Sequence, residues 1–499
     1  MTASLSVLDI IILVIYAMIL VFMGGYYTRK CRTSNQFMVA DRSIPAWAAG
    51  LAVMSAYTSS LSYIATPGKA FDTNWHPLIF ALTILPVAWV VTHFVIPYYR
   101  KIHIISVYSF LEHRLGNWGR IYAAFSFVFY MIGRIAVILY LASLLLISFI
   151  PWNIVIVIIV IGIVTIVYTL LGGMEAVIWT DVMQSLVMIV GVLFCAVILT
   201  KAVVFDSSQL IDYAIEQNKF SLGSLKLSLS SRTVWVMIIY GLTENLRNLM
   251  ADQNYVQKYS SVATEKEAKR SVWIAMLIYI PLTALFLYIG TTLFAFYSSS
   301  GTALPVEITK GDQVFPYFIA TQVPVIFKGL IIAAILAAAM STIDSALNCS
   351  ATVLLLDFWK QYVQPGMNEK SSMLFLRGTT VLWGFIGTGF ALLMIRAQSA
   401  LDVWWQISGI FGGGILGLFL LALFKIRLRL WQGLATIGLS ILVISWGTFI
   451  RDLPRSWTWL ECTFDPIIVG AVGTFVLIVL ALLFYAINSR TDSSTLDKN

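Results

Sequence analysis

The sequence predicts an all-α polytopic membrane protein of about 13 transmembrane helices, and three observations carry that prediction. The chain of 499 residues is 59% hydrophobic and only 11% charged, with a mean hydropathy of +0.87, a balance that a water-facing surface cannot hold. Its apolar residues fall in recurring runs of roughly 20, the length a helix needs to cross about 30 Å of hydrocarbon. The runs are continuous rather than alternating, which excludes a β-barrel and leaves helices as the way to satisfy every backbone amide in lipid.

Taken in order, the expected spans lie at about 6–25, 46–66, 77–97, 120–148, 152–171, 174–204, 233–251, 271–296, 326–356, 374–396, 402–424, 431–450 and 466–487. No basic segment precedes the first and no small-residue cleavage site follows it, so it is expected to be a retained helix rather than a signal peptide. Arg29, Lys30, Arg32 and Arg42 follow span one; Arg100, Lys101 and Arg114 follow span three; Lys258, Lys266, Lys269 and Arg270 follow span seven; Lys425, Arg427 and Arg429 follow span eleven. These loops share one face, and the positive-inside rule makes it cytoplasmic. The amino terminus is then outside and the carboxyl terminus in the cytoplasm, in a multi-pass protein of the plasma membrane, the inner membrane if the cell is bacterial. The net charge of +8 is explained by basic loops beside anionic lipid and calls for no nucleic-acid partner.

Cys31, Cys195, Cys349 and Cys462 include one residue on the outer side, so no external disulfide is expected. The four histidines, at 76, 93, 103 and 113, have no metal-ligand spacing with the cysteines, and no transition-metal site is expected.

Polar residues at membrane depth are costly and mark a pathway or a site. Span two holds Ser55, Tyr57, Thr58, Ser59, Ser60 and Ser62 before Pro67-Gly68. Hydroxyls at that density compete for backbone hydrogen bonds and favour an unwound segment, whose freed carbonyls suit a cation; a tight serine-rich packing face is the alternative. Span seven holds Gly241, Glu244, Asn245 and Arg247 and suggests a second interruption, five spans after the first, as two inverted five-helix repeats would place it. Glu244 and Arg247 either pair at i,i+3 or meet the solute. Span nine carries Ala338, Ser341, Asp344, Ser345 and Asn348 on one stripe with Thr342 beside it, an oxygen-rich face fit for a hard cation, and Asp181 in span six is a second carboxylate able to face it. Serines alone would more often be small-residue packing. Arg134, inside span four, offers a planar fork for a carboxylate, with Glu244 as a structural partner in the alternative reading.

These features, together with Tyr168-Thr169-Leu170-Leu171-Gly172-Gly173-Met174-Glu175-Ala176, Trp179-Thr180-Asp181, Ala337-Ala338-Ala339-Met340-Ser341-Thr342, the glycines 412–414 and the segment from Gln253 to Lys258, resemble the sodium/solute symporter family over nearly the whole chain, and within it the bacterial branch that includes sialic-acid symporters. The resemblance implies a LeuT-like core of two inverted repeats (46–204 and 233–424) around an external loop (205–232), with one extra helix and a cytoplasmic loop before it (1–45) and two helices and a short cytoplasmic tail after it (425–499). It implies sodium as the coupling ion and no organic cofactor. By position, the principal sodium site falls on the carbonyls of Ser55, Thr58 and Ala338 and the hydroxyls of Ser341 and Thr342. A second sodium, bound by some members, falls on Asp181, Ser341 and Ser345, with Asp344 standing where many members have serine.

In the same reading Arg134 holds a substrate carboxylate, with Ser59 and Ser62 on its polar groups. Tyr57, His76, Phe80, Glu244, Asn245, Trp405 and Gln406 are further candidates for the pocket. Tyr57 and Ala81 stand where a smaller hydroxyl and an amide would be expected, so a sialic acid, another sugar acid or carboxylate, and a neutral sugar or polyol all stay open. A monomeric, sodium-coupled importer working by alternating access is expected. A transporter-like membrane sensor or a channel is the alternative of another class: a channel would need a continuous polar pore, against which the paired broken helices argue, and a sensor would need a signalling module, for which the expected tail is short. An enzyme would need a nucleophile–base or metal constellation, and no His, Cys and carboxylate cluster offers one.

Overall fold

The structure, a computed structural model, describes residues 5–28, 31–102, 104–147, 149, 152–203, 207–299, 304–306, 308–396, 400–450 and 460–496. Every regular element among them is a helix. Nine are long and apolar enough to cross a membrane, and the shorter apolar helices Ala46–Tyr57, Ile154–Val167 and Ile407–Leu423 supplement them.

Helix α1 (Val7–Thr28) turns Leu8, Ile11, Met18 and Phe22 outward and Tyr16 and Leu20 inward, the pattern of a helix with one lipid-facing side. Its Asp9 is buried because it accepts from the amides of Ile326 at 3.0 Å and Gly329 at 2.8 Å, satisfying orphan donors at the start of a distant helix.

The second span is broken as the serine cluster predicts. Helix α2 (Ala46–Tyr57) stops, Thr58 and Ser59 are extended, and α3 (Ser60–Asp72) restarts. Ser59 Oγ accepts from the Leu61 amide at 3.2 Å while Ser62 Oγ accepts from the Ser59 amide at 3.3 Å. These reciprocal bonds make a new helix start cheaper than continuing the old one. Pro67 lies inside α3 and does not end it.

Helices α4 (Pro77–Lys101) and α5 (Asn117–Ile147) follow. Helix α6 (Ile154–Ala202) bends sharply at Gly173, φ 59° and ψ −161°, which separates the two spans expected on either side of it. That backbone region is nearly glycine-only, and a Cβ there would sit 2.8 Å from Phe37 Cα and 2.9 Å from Cys31 Sγ.

The seventh span is α7 (Val234–Leu246) followed by a wide helical turn over Arg247–Ala251. The interruption falls not at Gly241 but at Asp252, extended at φ −99° and ψ 115°, whose carboxylate caps α8 (Gln253–Ser260) through the Asn254 amide at 2.9 Å. Gly241 serves close packing against Thr83 instead.

Helices α9 (Glu265–Ser299), α10 (Gly311–Gln322), α11 (Phe327–Val353), α12 (Glu369–Leu393), α13 (Ala400–Leu423), α14 (Leu430–Phe449) and α15 (Val469–Leu496) complete the bundle. Helix α11 is buried almost throughout and packs on α6, α5 and both halves of the broken α2–α3 pair. Its alanines allow the close approach that dispersion rewards where lipid gives no hydrophobic drive. Helices α14 and α15 pair with each other and with α13 at the periphery. Lys258, counted above among loop charges, is instead fully buried in α8, so it says nothing about orientation.

Candidate functional site

A cavity of about 430 Å³ opens beside the break. Tyr57, Ser59 and Ser62 reach it from the break, His76 and Phe80 from the start of α4, and Arg134 from α5. Across from them stand Tyr240, Glu244 and Asn248 of the seventh span, Tyr255 of α8, Tyr279 of α9 and Trp404 of α13. Lys69, Asp72, Arg232, Lys310 and Asp312 line its walls as well, giving four basic against three acidic side chains among the described residues.

The aromatic floor is built by packing. The Tyr57 ring lies 4.6 Å from that of Tyr255 and 5.1 Å from that of Tyr279, and Phe80 lies 5.5 Å from Tyr240. Such tilted pairs hold their rings rigidly. Arg134 is buried, donates from Nη2 to the Ala56 carbonyl at 2.8 Å, and lies 5.9 Å over the Tyr255 ring. Glu244 does not serve it. Glu244 accepts from Arg247 Nε at 3.0 Å, and Arg247 also donates to Tyr130 Oη at 2.9 Å. The i,i+3 pair is therefore formed, and among the described residues it leaves Arg134 as the buried cation facing the cavity without a carboxylate in hydrogen-bond contact. A Cβ at Gly412 on α13 would sit 3.4 Å from the Arg247 guanidinium, so the glycine run packs beside that ion pair.

His76 Nδ1 lies 2.8 Å from Asn74 Oδ1, so the ring donates through Nδ1 and keeps Nε2 as an acceptor. Burial, with Arg232 and Lys69 nearby, pushes its pKa down to about 4.

Behind the break lies the second polar group. Ser341 Oγ and Thr342 Oγ1 both donate to the Ala338 carbonyl at 3.2 Å. Asp344 accepts from Thr180 Oγ1 at 3.5 Å and Ser345 Oγ at 3.3 Å. Asp181 stands 2.8 Å from Lys258 Nζ. Ser55, Thr58, Ser341, Thr342, Asp344 and Ser345 are all essentially inaccessible.

Of the residues expected at a substrate site, Tyr57, Ser59, Ser62, His76, Phe80, Arg134 and Glu244 meet in one cavity. Asn245 does not: its amide is spent on the Phe80 carbonyl at 3.0 Å and Thr83 Oγ1 at 3.2 Å, bracing α7 against α4. It lies one residue past Glu244, on a different face of the helix. The side chains of Trp405 and Gln406 lie outside the described residues. Asn248, Tyr255, Tyr279 and Trp404 were not expected. Only Tyr255 carried a signal, inside the segment from Gln253 to Lys258.

The chain is similar to known proteins over most of its length. Residues 37–434 match the model of the sodium:solute symporter family. The sodium/sialic acid symporter NanT of Aliivibrio fischeri is 30% identical over 96% of this chain and 93% of its own. The sodium/sialic acid symporter SiaT of Proteus mirabilis is 30% identical over 88% and 89%. A solved structure described as the substrate-bound outward-open state of a Na+-coupled sialic acid symporter, with a novel Na+ site, superposes with a TM-score of 0.88 at 27% identity, covering 97% of this chain and 98% of that one. Mhp1, described as a nucleobase-cation-symport-1 family transporter, shares the fold at a TM-score of 0.55 and 15% identity, over 91% of this chain and 95% of that one.

Proposed function

We infer the cargo and its coupling from one premise: the chain belongs to the sodium:solute symporter family. It is a multi-pass secondary transporter and not an enzyme. We propose that it imports sialic acid, or a closely related sugar acid or carboxylate, together with sodium and by alternating access. The observation that carries this reading is Arg134, a buried guanidinium lining the cavity while Arg247 occupies the neighbouring Glu244. A guanidinium cannot shed its charge, and its fork matches a carboxylate. Ser59, Ser62 and His76 Nε2 supply polar contacts for hydroxyl or amide groups of a sugar acid. The sialic-acid relatives support the same cargo.

For sodium, the proposed ligands are the carbonyls of Ser55, Thr58 and Ala338 with the hydroxyls of Ser341 and Thr342. The contact of α11 with both halves of the broken helix supports it. Asp181, Asp344 and Ser345, with Ser341 shared, form the neighbouring group on which a second sodium would sit, and there Lys258 intervenes. The cavity lies on the side of His76, Arg232 and Lys310, which the basic loops assign to the exterior, so the form is read as outward-facing. The amino terminus is then outside and the carboxyl terminus in the cytoplasm, in a bacterial inner membrane, with the monomer as the working unit.

The coupling has arithmetic consequences. One sodium with a monoanion is electroneutral, and a tenfold sodium gradient supports about tenfold accumulation. A second sodium adds a net charge worth roughly 2.3 kcal/mol at 100 mV and about doubles the chemical contribution, raising the ceiling beyond about a thousandfold. The test is uptake of labelled sialic acid into proteoliposomes with and without an inward sodium gradient. Sodium-driven accumulation supports the reading. Equilibration without accumulation would indicate a channel, and no uptake would remove sialic acid from the candidates.

A further inference from the structure

Lys258 is a fully buried cation that the proposed transport cycle does not use. Its ammonium is fully buried, 2.8 Å from Asp181 Oδ2 and 3.1 Å from the Ala52 carbonyl, which accepts from it. Ser55 lies beside the same carboxylate. The surroundings are those of a hard-cation site: a carboxylate from α6, a main-chain oxygen from α2 and a hydroxyl one turn further along α2. Here the cation is covalently attached to the chain.

Its neighbours hold it in place. Gln257, the preceding residue, donates to Asn348 Oδ1 at 3.0 Å and to Thr352 Oγ1 at 3.2 Å on α11. Lys258 thus reaches Asp181 from a helix pinned to the opposite wall. Asp344, by contrast, faces the hydroxyls of Thr180 and Ser345. The two carboxylates stand on facing helices, and the ammonium lies at salt-bridge distance from Asp181.

We propose that Lys258 is a resident cation occupying the Asp181 side of the second ion position, so that the transporter binds and couples one mobile sodium rather than two. A second sodium at Asp181 would have to displace an ammonium that has no water to retreat into, and like charges at that spacing in a dry interior repel strongly. The inference rests on the sodium-symport reading but goes beyond it, because it fixes the stoichiometry and names the residue responsible.

The test is equilibrium binding of labelled sodium to the purified full-length protein, which needs no cargo. Wild type is expected to bind one sodium per chain with a Hill coefficient near one. Lys258→Gln, which vacates the position and leaves Asp181 charged, is expected to bind two. The double variant Asp181→Asn/Lys258→Gln removes both charges together and is expected to return to one, with an affinity within about threefold of wild type. Two sodiums on wild type would overturn the inference while leaving sodium symport standing. No sodium on wild type would overturn both. If Lys258→Gln does not yield folded protein, the double variant decides: loss of its sodium binding would mean that Asp181 is an ion ligand, and the inference would fall.

Discussion

Arg134 Nη2 and Tyr255 Oη share one acceptor, the Ala56 carbonyl, at 2.8 Å and 3.1 Å. Ala56 follows Ser55 in the turn before the break, so the cavity's guanidinium is tied to the same backbone proposed to hold sodium. A cargo that reorients the guanidinium changes the hold on that carbonyl, and binding free energies at the two places are then linked reciprocally.

From this follows the first expectation. Arg134→Ala should abolish cargo uptake and also weaken sodium binding, within the roughly 5–150-fold range typical of coupled sites. Arg134→Lys keeps a point charge without the fork and should lose less of each. Cargo uptake and sodium binding are measured on the same preparations; an unchanged sodium affinity in Arg134→Ala would separate the two sites.

Ser341→Ala removes one proposed sodium ligand without touching the cavity. The sodium concentration for half-maximal uptake should rise by about tenfold, equivalent to 1.4 kcal/mol, while cargo affinity at saturating sodium changes little. A sodium titration of initial uptake rates checks this, and an unaltered curve removes Ser341 from the site.

Fourteen residues before Arg134, about 21 Å along the same helix, Arg120 donates from Nε to Asp357 Oδ1 at 2.7 Å and from Nη2 to the Leu356 carbonyl at 2.8 Å. It also meets Glu112, and Ser106 Oγ donates to the second Asp357 oxygen. The network joins α5, the helical turns Leu354–Val363 that continue α11, and the segment after α4 with its short helix Ser109–Leu115, at the end of the bundle away from His76. Arg120→Ala would leave Asp357 buried without its cation, a loss of about 3–5 kcal/mol from the form in which that end is closed. Downhill efflux of cargo from preloaded proteoliposomes should accelerate and the accumulated level fall. Efflux at the wild-type rate would show that these contacts are structural only.

His76 offers a pH test with a definite sign. Its folded pKa of about 4 lies below the ordinary 6.5, so between these values the unfolded chain binds more protons than the folded one. Stability therefore falls as pH drops through that window, and above about 6.5 the ring contributes no pH dependence. His76→Gln should show a smaller loss of melting temperature from pH 6.5 to 4 than wild type, and whatever its absolute uptake rate, that rate should have the same pH dependence as wild type between pH 6.5 and 8.

Gly173→Ala meets both an ε-region backbone and two contacts under 3 Å. It should cost at least about 1–3 kcal/mol and lower the melting temperature. Gly366, with open space around it, is the control for a harmless alanine.

What the sequence determined alone is what periodicity and local chemistry determine. Continuous apolar runs specify membrane helices because lipid forbids unpaired backbone. Thr58 to Ser62 specify a break because four hydroxyls within five residues compete with the helix ladder, and the oxygen stripe of α11 follows from helical spacing. Tertiary structure decided how charges are shared across helices. Glu244 took Arg247 and left Arg134 to the cavity, Asn245 went to bracing α7, and Lys258 left the expected loop to pair with Asp181. None of those choices is local: each depends on which helix lies opposite, and in a low-dielectric interior the partner that arrives at hydrogen-bond distance outweighs any preference the sequence neighbours express.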